Sequence, residues 1–338
     1  MDCFEWQDTL TFEEPASGLE AIDLSNFNGD VTLTGTDSEA VQVVAMRRVR
    51  ATDEAMGRAY FEALAPAIAR EAGTLVVRTP KPEPKAWPYI THASVNYRVT
   101  LPARFAVRAR TDNGALSAAG FARDVDVAAR NGRVRVADVA GNANAVTYNG
   151  SVVLERVGSA TQATSYNGAV RVDVRRAPAE ATFKTYNGSI DVTLAEAPTA
   201  PVKASTLNGS IALNVPPGAA FDLDARTTHG AIHTDWGDAR GKWGLMAALQ
   251  TAVNGGGTPV ELHATNGGIR VRQSRPAGWG AGGIRYRGCG GGGSRVRPRL
   301  PAPEVLKLRG YHGKHRALSE ADGAFPADLG GPGVFYRG

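Results

Sequence analysis

Three tyrosines, Tyr148, Tyr166 and Tyr186, each stand directly before an Asn-Gly pair. A regular row of aromatic rings can act as a platform for a sugar or for a partner's surface. The competing reading is structural, because tyrosine is a good strand residue and packs well against a copy of itself. His229, His233, Asp235, Glu261 and His263 form the one metal-like grouping. On a strand His233 and Asp235 share a face, but His263 falls at a different place in its segment, and zinc sites have tighter signatures. These are read as exposed histidines, and no metal or cofactor is expected. Asp173, Asp191 and Lys184 are acid–base candidates by proximity alone. No catalytic constellation emerges, so a non-enzymatic binding or structural role is expected by elimination.

Asn-Gly recurs at Asn113, Asn131, Asn149, Asn167, Asn187 and Asn208, with spacings of 18, 18, 18, 20 and 21 residues. His229-Gly230 follows after another 21, Asn266-Gly267 after 37 with room for an insertion at 236–257, and Asn28-Gly29 is an isolated early copy. Three residues past the Asn stands an aliphatic residue, as at Val134, Val152, Val170, Ile190 and Ile211. Four before it come Val127, Ala145, Ala163, Phe183 and Ala204, and two before it a small or hydroxylic residue such as Thr147, Ser165 or Thr185. Period-two alternation on both sides of a Gly turn predicts strand, turn, strand with one face buried. Glycine is expected to supply a positive φ at that corner.

Asn-Gly is also the strongest short hairpin signal, so an antiparallel meander is the alternative. Matching residues at matching places favour an all-β, single-stranded parallel β-solenoid or β-helix, each coil of about 18–21 residues stacked on the last. Asn131, Asn149, Asn167, Asn187 and Asn208 would then form a structural ladder at the turns. The tyrosines have the parity opposite to the buried set and should face outward, with Leu207 next in the row.

Residues 1–110 are expected to form strands and a helix over 53–71 that caps the solenoid. Thr52 is read as N-cap, Met56, Tyr60, Leu64 and Ile68 as the apolar face, and Pro66 as a residue that kinks or shortens the helix. Residues 111–273 form the repeats. Residues 274–338 hold sixteen glycines and eleven Lys or Arg against four Asp or Glu, which reads as a disordered Gly/Arg-rich tail. Arg285, Arg287, Arg295, Arg297 and Arg299 there suit weak polyanion binding, while the rest of the chain is near −2 and is no nucleic-acid binder.

Cys3 and Cys289 exclude a disulfide framework, and no apolar run is long enough for a transmembrane helix. The polar, acidic start MDCFEWQDTL is no signal peptide and, taken literally, implies a cytoplasmic product. If translation began upstream, Cys3 could be a lipid-modified anchor just before the first strand.

The segment NGDVTLTG at 28–35, NYRVTLP at 96–102, the Asn-Gly ladder through 232 and VELHATNGGIRVR at 260–272 resemble a bacterial family of β-strand-repeat proteins of unknown function described as "putative adhesin". The resemblance spans about residues 4–273. It implies a β-solenoid, exported or held in the cell envelope, with no established activity and no catalytic residues to carry over. The partner expected is a macromolecule or envelope glycan held by Tyr148, Tyr166 and Tyr186. The alternatives are a polysaccharide-acting β-helix enzyme and a cytoplasmic polyanion-binding protein working through its tail.

Overall fold

A computed structural model describes residues 3–81, 88–176, 180–240 and 246–274. The tail from 275 onward, with Cys289 and the tail arginines, lies outside the described residues. Within the described residues the chain is nearly all β, with one helix and two long, mostly parallel sheets of thirteen and twelve strands packed face to face. The fold is β-solenoid-like, and the meander is excluded because strands flanking each Asn-Gly pair with the neighbouring repeats and not with each other.

Each repeat gives one strand to each sheet. Ala143–Asn149 lies in the second sheet and Val152–Val157 in the first, with the corner Asn149-Gly150 between them. Pairing is parallel and in register, Asn131 opposite Asn149, Asn149 opposite Asn167, and Asn167 opposite Asn187. The alternation seen in the sequence decides what is inside. Val152, Val170 and Ile190 from the first sheet, and Ala145, Ala163 and Phe183 from the second, are buried between the sheets.

The corner glycines are required for two reasons, and the expected one holds at some corners only. Gly29, Gly114, Gly150 and Gly267 have φ of 121, 132, 154 and 157, but Gly132, Gly168 and Gly188 adopt no left-handed φ. A Cβ on Gly168 would instead stand 2.1 Å from the Gly150 carbonyl oxygen below it, and Gly150 and Gly188 meet the glycine beneath them in the same way. Backbone stacks on backbone at the corner, and only a hydrogen fits.

Repeats in the middle stack in chain order, but those at both ends do not. Ala21–Asn28 and Val31–Thr36 sit between the repeat of Ala106–Asn113 and Leu116–Ala119 and the outer pair Thr74–Arg78 and Ile90–Pro102. At the far end the last repeat, Thr258–Asn266 and Ile269–Gln273, inserts between Val202–Asn208 with Ile211–Val215 and the outer Phe221–His229 with Ala231–Thr234. The expectation that each coil rests on the one before it is corrected there. At each end the outermost repeat is the one that pairs with antiparallel closing strands. These are Phe4–Pro15, Ala40–Ala51 and Ala67–Glu71 at one end, and Gly237–Arg240 and Ala247–Val253, the expected insertion, at the other.

The helix is shorter than the expected 53–71. It runs Glu54–Ala63, capped by the Asp53 side chain, which accepts from the Met56 N–H, so Asp53 and not Thr52 is the N-cap. Pro66 cannot donate the next helical hydrogen bond and biases Ala65 away from helix. The chain then leaves as the edge strand Ala67–Glu71, which turns at Ala72-Gly73 and pairs with Thr74–Arg78. Arg47, largely buried, ties the helix to the outer strand: it donates to the Asp8 carboxylate at 2.8 and 2.5 Å and to the Phe61 carbonyl at 3.0 Å. Beside it, the Tyr97 and Thr79 hydroxyls lie 2.6 Å apart, Thr79 donates to the Asn26 amide oxygen at 3.0 Å, and Asn26 donates to the Val95 carbonyl at 2.8 Å.

Two outcomes are expected. Val170→Ala removes two methyl groups from a closed core, so denaturant unfolding should show a loss of about 1–3 kcal/mol; no change would contradict its inward place. The second concerns pH. Burial pushes the Tyr97 phenol up to about 12, with Thr79 and Arg47 acting the other way. The fold therefore keeps this proton where the unfolded chain, with a pKa of about 10, releases it. Its contribution is complete below pH 10 and is lost as pH rises towards 12. Tyr97→Phe should flatten that alkaline fall in the unfolding midpoint.

Candidate functional site: the outer face of the second sheet

The column directly before the corner points outward along the second sheet. Tyr148, Tyr166 and Tyr186 are exposed, at 50%, 38% and 50%, followed by Leu207 at 44%. Neighbouring ring centroids are 4.7 Å apart, the strand spacing, with interplanar angles of 28° and 5°. The rings are thus stacked like plates along the long axis of the sheet. The middle ring is the least exposed because both of its faces are covered. Solvent meets ring edges and phenol hydroxyls, not the open faces that a sugar or base platform would need. Arg130 precedes Tyr148 in this column, between the paired positions Ala129 with Thr147 and Asn131 with Asn149.

Two hydrogen-bonded ladders hold the corner behind the row. In the first, the Asn149 amide donates to the Asn131 amide oxygen at 2.7 Å, Asn167 to Asn149 at 2.8 Å, Asn187 to Asn167 at 2.8 Å, and Asn208 to Asn187 at 2.7 Å. Asn131 donates to Asn113 at 2.8 Å, and Asn266 to Asn208 at 2.8 Å. His229 ends the ladder, its Nδ1 standing 3.0 Å from the Asn266 amide oxygen. An Asn there would serve equally as donor; the imidazole does so when Nδ1 carries the hydrogen.

The second ladder is buried. Thr147, Ser165, Thr185 and Thr206 donate to the carbonyls of Gly132, Gly150, Gly168 and Gly188, one repeat below, at 2.7–2.9 Å. This explains the hydroxylic place two before each Asn. The inward carbonyl of a corner glycine has lost water and needs a donor. Ala129 breaks the pattern, leaving Gly114 without that hydroxyl.

The other sequence candidates do not converge. Asp173 and Asp191 lie on the outer face of the first sheet and Lys184 on the outer face of the second, with the core between them. His233 and Asp235 belong to the first-sheet side: His233 meets Asp238 at 3.3 Å, and Asp235 accepts from the Gln273 N–H at 2.8 Å. Glu261 and His263 belong to the second sheet, and Glu261 pairs with Lys203 at 3.7 Å. Among the described residues no three His, Cys, Asp or Glu side chains are grouped as a metal site requires.

A shallow recess of about 450 Å³ near that end contains Asp222, Asp224 and Glu261. Burial alone would raise the Asp224 carboxyl, but hydrogen bonds from Arg226 at 2.8 and 2.6 Å and from Gln250 at 3.1 Å hold it below the ordinary carboxylate value. A carboxylate held ionised in this way is a poor proton donor. Cys3 is exposed just before the strand Phe4–Pro15.

The chain belongs to the Toastrack DUF4097 family, whose model matches residues 15–231. Among solved structures it is similar to a "putative adhesin" from Bacteroides fragilis, at 11% identity over 79% of this chain and 97% of that one, TM-score 0.37. It is also similar to a "putative cell adhesion protein" from Clostridium sporogenes, at 12% identity over 81% and 100%, TM-score 0.27. A third is a "putative lipid binding protein" from Parabacteroides distasonis, at 10% identity over 79% and 97%, TM-score 0.35. No curated protein matches. No helix of the described residues is long and apolar enough to cross a membrane.

The hydroxyl ladder yields a paired test. Thr185→Val keeps the shape but strips the Gly168 carbonyl of its donor, and should cost about 1–3 kcal/mol in urea unfolding. Ala129→Ser should add the missing donor at Gly114 and gain about 0.5–1.5 kcal/mol. Equal stabilities for Thr185→Val and the parent would show that the glycine carbonyls are satisfied without these hydroxyls.

Proposed function

We propose that this member of the Toastrack DUF4097 family is a non-enzymatic, adhesin-like β-solenoid with coils of about 18–21 residues. Its second sheet holds a macromolecular partner or envelope glycan along Tyr148, Tyr166 and Tyr186. One observation carries the reading: three large side chains stand exposed in a stacked row on a rigid sheet. Each ring is held by its neighbours before any ligand arrives, so little side-chain freedom is lost on binding. The row offers phenol hydroxyls at one strand spacing, each able to donate and accept. Isolated exposed apolar groups are ordinary on a protein surface, but a continuous row with Leu207 at its end is a patch of the kind that marks contact sites. Two of the carboxylates in the recess towards the far end of this sheet, Asp224 and Glu261, are paired with Arg226 and Lys203, which favours holding a ligand over cleaving it.

Two triple variants of the full-length chain test this. Replacing all three tyrosines by Ser should leave the circular dichroism unchanged and weaken capture of cell-wall material, or of the best ligand on a glycan array, by about tenfold or more, which is 1.4 kcal/mol. Replacing them by Phe keeps the stacked rings and removes the hydroxyls, so binding should be intermediate. Parent-level binding by the Ser variant would remove the row from the binding site.

A further inference from the structure

We infer that the ligand of this face is an acidic polysaccharide, one whose sugar units carry carboxylates. The inference rests on the reading of the tyrosine row as a binding surface, and it follows from which parts of the rings remain open.

An aromatic ring is negative on its faces and positive around its edge. Stacking at 4.7 Å turns the faces of Tyr166 towards its neighbours and leaves edges and O–H groups outward. A row of positive edges and hydroxyl donors suits an anion with acceptor oxygens, and it suits a flat apolar ring poorly. The outer faces meet no ring: that of Tyr148 turns towards the Arg130 repeat and that of Tyr186 towards the Leu207 repeat.

The fixed charges agree. From 106 to 208 the outward positions of the second sheet carry Arg108, Arg110, Arg130, Lys184 and Lys203 against Asp112 and Asp126. Arg130 leads the row at one end. Lys184 stands two residues before Tyr186 on the same strand face, near the other end, roughly 14 Å away along the stack at the strand spacing. Neither forms an ion pair among the described residues. The first sheet's outer face differs: Arg135 pairs with Glu155 at 2.6 Å and Arg171 with Asp191 at 3.3 Å. At the corner beyond it, Asp138 is paired with Arg156 at 2.6 Å, which with Arg175 holds its carboxyl below the usual range. On the second sheet Lys203 is likewise paired, with Glu261, so the contrast lies in Arg130 and Lys184, which stand at the two ends of the row of donors. Single-stranded nucleic acid is the less suitable polyanion, because it is gripped by stacking bases on open aromatic faces, and here those faces are closed along the row.

The test uses the full-length chain, immobilised polygalacturonate, and the same polymer with its carboxylates methyl-esterified. At low salt the acid polymer should bind at least tenfold more tightly than the ester. Arg130→Gln with Lys184→Gln should reduce acid binding about tenfold while leaving the circular dichroism and melting temperature unchanged. The basic tail is present in parent and variant alike, so their ratio reports the face. Equal binding of acid and ester, or acid binding indifferent to the double variant, overturns the inference. If the Tyr→Ser triple variant still weakens both polymers in that case, the face remains a binding site for a neutral glycan. If the triple variant weakens neither, the underlying reading fails. Tighter, Arg130- and Lys184-dependent binding of oligo(dT) would also overturn the inference, in favour of nucleic acid.

Discussion

In-register parallel pairing is the constraint on which the rest of this molecule depends. It sets every residue directly over its counterpart one repeat away, at a single strand spacing, so a side chain must tolerate its own kind as neighbour. Glycine at the corner follows, because two backbones meet there with room for a hydrogen only. Asparagine follows, because its amide is both donor and acceptor and can chain indefinitely to copies of itself. The threonines follow from the glycines, since the inward carbonyl created by the tight corner must be given a donor. Stacked tyrosines are the outward expression of the same rule.

A stack of this kind has two ends where the rule stops, and the departures from the repeat gather there. Unpaired strand edges would recruit further strands, so natural sheets cover, shorten or charge them. Here each terminal repeat is flanked by antiparallel strands that cannot continue a parallel in-register stack. The outermost strand of the first sheet, Phe4–Pro15, carries Glu5, Asp8, Glu13 and Glu14 and ends in a proline. Asp8 meets Arg47, Glu5 meets Arg48 and Arg50, and Glu14 meets Arg70, which offsets most of the charge while leaving a polar edge.

How much of this was legible in the sequence depends on whether a residue's role is set by its own repeat. Val152, Val170 and Ile190 could be placed inside from alternation alone, and the tyrosines outside from parity, because burial on a pleated strand is a local property. The order of stacking at the ends could not, since Asn28 and Asn266 carry the same signature as the middle asparagines and nothing in the signature says which neighbour each will choose. The apolar spacing overextends the helix because Ile68 continues the series of Met56, Tyr60 and Leu64, while Pro66 ends the helix and Ile68 packs against the core from an edge strand. Dihedral freedom accounts for Gly29, Gly114, Gly150 and Gly267, but the requirement common to the column is a contact between repeats, which a single repeat does not display.

The tyrosine row shows why a repeated residue and a repeated surface differ. Read one repeat at a time, each tyrosine offers a ring face, and three faces suggest a stacking platform. Once the repeats are set at 4.7 Å, the faces are spent on one another and a different chemistry is left outside: edges, hydroxyls and whatever charge lies beside them. The self-association that makes the row rigid therefore also decides which chemistry it presents to solvent. A residue that breaks the column ends the ring stacking. Arg130 and Leu207 do so at its two ends, and the short length of the row, three rings in a much longer ladder of asparagines, confines the aromatic surface to the middle of the stack, away from both closures.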